Sequence, residues 1–145
     1  MLTLALILIP LLAVAAIFFG DAANARKIAL IAAAANIAVA IAALSAGCSG
    51  FNLNVLSDPN INLALSVDSG ISMVMLLLSV IVTLAAVLSG SCPEGREKLW
   101  FTSTLLISAG AIGAFISTDL FFFFAFHELA LIPTFLMIGI LGRGD

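Results

Sequence analysis

Apolar residues come in long runs along this chain, and the polar residues between them fall in short clusters. A helix needs about 20 apolar residues to cross the hydrocarbon of a bilayer, at about 1.5 Å per residue. Five stretches meet that measure: Leu2–Phe19, Ile28–Ala46, Ile71–Leu88, Leu99–Ile116 and Leu120–Leu141. Ala dominates the second, and the fourth carries Thr102, Ser103, Thr104 and Ser108, but both keep the length of a span. The segment between spans two and three has a different rhythm. Phe51, Leu53 and Val55 alternate with Asn52, Asn54 and Leu56, and Ile61, Leu63, Leu65 and Val67 alternate with Asn62, Ala64 and Ser66. Ser57-Asp58-Pro59-Asn60 stands between the two runs. Period-two alternation either side of a Pro/Asn/Asp turn predicts a small β-hairpin. A hairpin alone is marginal in water, so it should lean on the membrane helices or on a neighbour.

Composition agrees with this pattern. The chain has 145 residues, 63% hydrophobic and 9% charged, with mean hydropathy +1.31, so the expected class is an all-α integral membrane protein. The net charge of -3 is spread over loops without basic clusters, which excludes a nucleic-acid binder. Ala23-Asn24-Ala25 resembles a signal-peptidase site, but Met1-Leu2-Thr3 lacks the basic opening of a signal peptide, so span one is read as retained.

The basic residues orient the spans. Arg26 and Lys27 follow span one, Arg96 and Lys98 follow span three, and Arg143 follows span five. All five lie on one side, which the positive-inside rule makes cytoplasmic, with the N-terminus outside and the hairpin extracytoplasmic. Cys48 then sits at the outer end of span two and Cys92 at the inner end of span three. About 30 Å of hydrocarbon keeps them from forming a disulfide.

Few residues carry candidate chemistry. Glu128 lies eight residues past Leu120, about 12 Å into span five. An ionised carboxylate at bilayer depth costs about 2.5–3.5 kcal/mol on insertion scales, and such residues usually handle protons or ions. No Lys or Arg lies inside an apolar run, so its counter-charge must come from elsewhere. Pro133, five residues on, removes the N–H that the Leu129 carbonyl would accept from. His127 neighbours the acid but points about 100° round the helix. Pro133 and His127 are therefore supporting candidates. Asp119, in Ser117-Thr118-Asp119, reads as the N-cap of span five, and Asp68 as a cap or turn residue before span three. Asn36 and Thr83 are candidates for hydrogen bonds between helices, and Gly110 with Ala114 for a close helix contact.

The run Asp119-Leu120 followed by F-F-F-F-A-F-H-E-L-A-L-I-P-T-F-L-M-I-G-I-L-G, Phe121 to Gly142, resembles subunit M (chain 4) of NADH-quinone oxidoreductase. That family is an antiporter-like membrane subunit of respiratory complex I. The specific parts are E-L-x-L-I-P-x-F at Glu128–Phe135 and I-G-x-x-G at Ile138–Gly142. V-D-S-G-I-S at Val67–Ser72 is similar to the family's V-D-G-I-S, with Ser69 as an extra residue. The resemblance implies that Glu128 is the family's fifth-span glutamate, paired with a lysine on a later broken helix and part of a proton path. It also implies that this chain corresponds to the opening third of a longer subunit. The missing remainder with the paired lysine, the other membrane subunits and the bilayer would be its partners. No cofactor is expected on this chain; NADH, FMN, iron–sulfur clusters and quinone would belong to other subunits. The chain alone would then have no catalytic activity. The implied setting is the plasma membrane of a bacterium in preference to a mitochondrial inner membrane. Two other readings remain open: a component of a multisubunit cation/proton antiporter or membrane-bound hydrogenase, and a non-functional truncated fragment.

Overall fold

The structure, a computed structural model, describes residues 1–46, 50–57, 60–67, 69–90, 92 and 95–142. Cys48, Asp68 and Arg143 lie outside the described residues. The elements run α1 (Leu2–Phe19), α2 (Ala22–Ser45), β1 (Phe51–Ser57), β2 (Asn60–Leu65), α3 (Gly70–Ser89), α4 (Glu97–Ile116) and α5 (Leu120–Leu141). All five helices are long and apolar enough to cross a membrane.

α1 and α5 have the bounds that their apolar runs predict. α2 starts six residues before its run, at Ala22 after the N-cap Asp21, and takes in Arg26 and Lys27. Hydropathy marks the hydrocarbon segment, whereas the helix continues into the polar interface, where basic side chains are solvated. α3 and α4 extend past their runs by one or two residues for the same reason.

α4 is the central helix. It packs against α1, α2, α3 and α5, and 56% of its membrane window is buried. For α5 the share is 6%, because among the described residues α4 is its only extensive neighbour. The Ala-rich character of α2 is used for close approach: Ala25, Ala29, Ala33 and Ala40 are at most 2% exposed. Thr83 on α3 does bond between helices: its hydroxyl donates to the Ser79 carbonyl at 2.7 Å and accepts from the Ser108 hydroxyl on α4 at 2.8 Å. Asn36 does not match expectation in the same way, since its amide oxygen has no partner.

β1 and β2 form the expected antiparallel hairpin, with Phe51 opposite Leu65 and Asn54 opposite Asn62. The register shifts between Asn54 and Leu56, so Val55 is a bulge and the alternation read from sequence breaks there. The hairpin does lean on the helices. Leu65 and Val67 are buried with Leu6, Ile7, Leu76 and Ile112. β2 also bonds to the α4–α5 turn: Ser66 N–H donates to the Ile116 carbonyl at 2.7 Å, and Thr118 N–H donates to the Ala64 carbonyl at 2.9 Å. Ser69 caps α3, accepting from Ser72 N–H at 3.0 Å.

The opposite end of the bundle is held by arginines. Arg26 donates to the Leu88 carbonyl at 3.3 Å and Arg96 to the Ile140 carbonyl at 3.0 Å, satisfying acceptors in the last turns of α3 and α5. Gly90 ends α3 with φ 61, and an added Cβ would lie 3.0 Å from Arg26 Nη2, so both backbone and space favour glycine. Arg26, Lys27, Arg96 and Lys98 are all the described basic residues, and all four belong to the end away from the hairpin.

Candidate functional site

α5 is fixed at its hairpin end by Asp119. One carboxylate oxygen accepts from Phe121 N–H at 2.8 Å and Phe122 N–H at 3.4 Å, which makes Asp119 the expected N-cap. The second oxygen accepts from Asn62 N–H of β2 at 3.4 Å. Cap and hairpin therefore meet on one side chain.

The face α5 turns to α4 is set by two glycines. A Cβ on Gly110 would meet the Phe126 carbonyl oxygen at 2.6 Å and Ala130 N at 2.7 Å, and one on Gly113 would overlap the Phe126 ring. Gly110 thus makes the close contact expected of it, and Gly113 joins it against α5. Pro133 is buried, one turn beyond Ala130 along that face. Its ring leaves the Leu129 carbonyl without its helical donor. Next to it the Thr134 hydroxyl donates to the Ala130 carbonyl at 2.8 Å.

Glu128 follows Phe126 by two residues, about 200° round the helix, nearly opposite α4. Its side chain is exposed on the chain's own surface, so the burial expected from the sequence is not provided by these five helices. The reason is the glycine contact, which commits the other side of α5 to α4. Around Glu128 the same outward face carries Phe121, Phe124, Leu131, Ile132 and Phe135, all exposed. His127 is exposed as well, and its ring stacks on Phe123 with centroids 6.4 Å apart and planes 17° from parallel. It stands between the α4 face and the Glu128 face and belongs to neither. Among the described residues, the nearest Lys or Arg contact along α5 is that of Arg96 at Ile140, twelve residues or about 18 Å from Glu128.

This arrangement defines a multi-pass helical membrane protein with an acid near the middle of a span-length helix, on a face that the other described elements leave uncovered. No family model matches the chain. It is 44% identical over 79 residues, 54% of this chain and 16% of the relative, to the chloroplastic NAD(P)H-quinone oxidoreductase chain 4 of Chara vulgaris. It is 30% identical over 135 residues, 86% of this chain and 25% of the relative, to NAD(P)H-quinone oxidoreductase chain 4 of Prochlorococcus marinus strain MIT 9312. Among solved structures it is similar to an archaeal respiratory membrane complex, the membrane-bound sulfane sulfur reductase. The TM-score is 0.75, the identity 23%, and the match covers 92% of this chain and 22% of that chain. The likeness to that complex is one of fold. The chain is homologous to NAD(P)H-quinone oxidoreductase chain 4, and it spans 25% or less of the curated relatives named here.

Proposed function

We propose that the chain is the opening part of the antiporter-like chain 4 subunit of a proton-pumping NAD(P)H-quinone oxidoreductase. Glu128 would supply one proton-exchanging group of its translocation path. The observation that carries this reading is the acid itself, set at depth on the open face of α5 among Phe121, Phe124 and Phe135. A carboxylate facing lipid alone is expensive, so that face calls for a covering helix with a basic group. That helix would come from the remainder of the subunit. A carboxyl held between a protonated and an ion-paired state passes protons, and the Leu129 carbonyl freed by Pro133 offers a water-binding oxygen nearby. NADH, FMN, iron–sulfur clusters and quinone are assigned to other subunits, so this chain has no redox chemistry of its own. The proposed setting is a bacterial plasma membrane with the hairpin outside and the arginine end in the cytoplasm.

Purification of the native complex through this chain tests the assignment. The expected result is NAD(P)H-driven quinone reduction coupled to an uncoupler-sensitive proton gradient in vesicles. Recovery with cation/proton antiporter components and no redox activity overturns it.

Orientation has its own test in the two cysteines. With Cys48→Ser, a membrane-impermeant maleimide should reach Cys92 only from the arginine side; with Cys92→Ser it should reach Cys48 only from the other. Labelling of both from one side overturns the layout. Burial and, after it, the Glu97 carboxylate push the Cys92 thiol above its usual pKa. The thiolate is the reactive form, so labelling should be slow at neutral pH and accelerate as pH rises through the raised value. Glu97→Gln removes the second cause and should speed the reaction at neutral pH.

A further inference from the structure

Two buried oxygens near the outer end of α1 have no hydrogen-bond partner: Thr3 Oγ1 and Asn36 Oδ1. Thr3 is 2% exposed and Asn36 3%, so neither reaches lipid headgroups or bulk water. They stand at one depth. α1 and α2 are antiparallel neighbours joined through Gly20 and Asp21. Thr3 lies sixteen residues before Phe19, and Asn36 lies fourteen after Ala22. At about 1.5 Å per residue, their levels along the bundle differ by about 3 Å. Leu6 and Ala40, each about one turn away from them, share a buried cluster with Leu65 and Val67 of the hairpin segment. Ala33 and Ala40, before and after Asn36, are buried with it and carry only methyl side chains.

We propose that Thr3 and Asn36 hold a single buried water between α1 and α2. Buried oxygens are nearly always satisfied by protein or by ordered water, and an isolated pair of this kind is where such water sits. The water would donate one hydrogen to Asn36 Oδ1, which only accepts. It would meet the Thr3 hydroxyl, which both donates and accepts, with the other. Two neutral oxygens without a carboxylate do not make a cation site, since hard cations take six or more oxygens and favour charged ones.

Thermal unfolding of the full chain in detergent tests the site through Thr3→Val, Asn36→Leu and the double variant, all close in shape to the original residues. With a shared water, each single change strands the remaining group and lowers the midpoint by a few degrees. The double change should recover most of the loss, and Thr3→Ser should hold the wild-type midpoint. A single variant that raises the midpoint, or shifts that simply add, overturns the proposal. So does an experimental map, at a resolution that shows ordered solvent elsewhere, without density between the two side chains.

Discussion

Glu128→Ala in the assembled complex should abolish most proton translocation while leaving the amount of complex nearly unchanged. The two effects separate because of where the side chain stands. Within this chain Glu128 is exposed, on the side of α5 away from α4, so truncating it creates no cavity among the five helices. What it removes is the only carboxyl within the α5 span. Glu128→Asp keeps the proton-exchanging group but draws it back by one methylene, so part of the pumping should survive. Glu128→Gln keeps the shape and loses the exchangeable proton, and it should behave like Ala. The measurement is NAD(P)H-driven acidification in vesicles, normalised to assembled complex. Wild-type pumping in the Ala variant removes the mechanistic role of Glu128, and loss of assembly in all three makes it a structural residue.

Gly110→Ala should loosen α5 from the bundle. The added methyl group would lie 2.6 Å from the Phe126 carbonyl oxygen and 2.7 Å from Ala130 N, both backbone atoms that no rotamer change can move aside. The helices would have to separate, and overpacking of this kind costs about 1–3 kcal/mol. Among the described residues α5 has no second extensive contact to compensate, and Gly110→Val should be worse. Gly139, on the same pair of helices but with no atom within 4 Å of an added Cβ, is the control. Gly139→Ala should be neutral or slightly stabilising, since Ala is the better helix former by about 1 kcal/mol. Thermal midpoints and cysteine crosslinking between α4 and α5 check both. An unchanged midpoint for Gly110→Ala would mean that the helices lie further apart than described.

Much of the architecture was written in the run lengths. α1 and α5 are read to the residue because polar clusters bound their apolar runs sharply. The start of α2 was not legible, since Arg26 and Lys27 look like loop until they are seen at a helix end, with Arg26 reaching Leu88. The hairpin was legible from alternation, and its bulge at Val55 was not, because a register shift depends on the partner strand. Asp119 as a cap is a local signal, whereas its bond to Asn62 spans 57 residues of sequence and leaves no mark in either segment. The depth of Glu128 follows from counting residues, but its direction does not. α5 is apolar nearly all round, so nothing in its own sequence says which side α4 takes. Gly110 and Gly113 decide that from another helix.

Among the described residues, the two ends of α5 are tied by hydrogen bonds, and its middle is held to α4 by packing alone. At one end Asp119 and Thr118 hold it to β2, and at the other Arg96 grips Ile140. Sliding along α4 would break both moorings at once, while bowing would break neither. The weakest point for bowing is Pro133, where one rung of the helical ladder is missing. Any displacement of the Glu128 carboxyl is therefore a flexing of an anchored rod, small in amplitude and centred one to two turns from the acid itself.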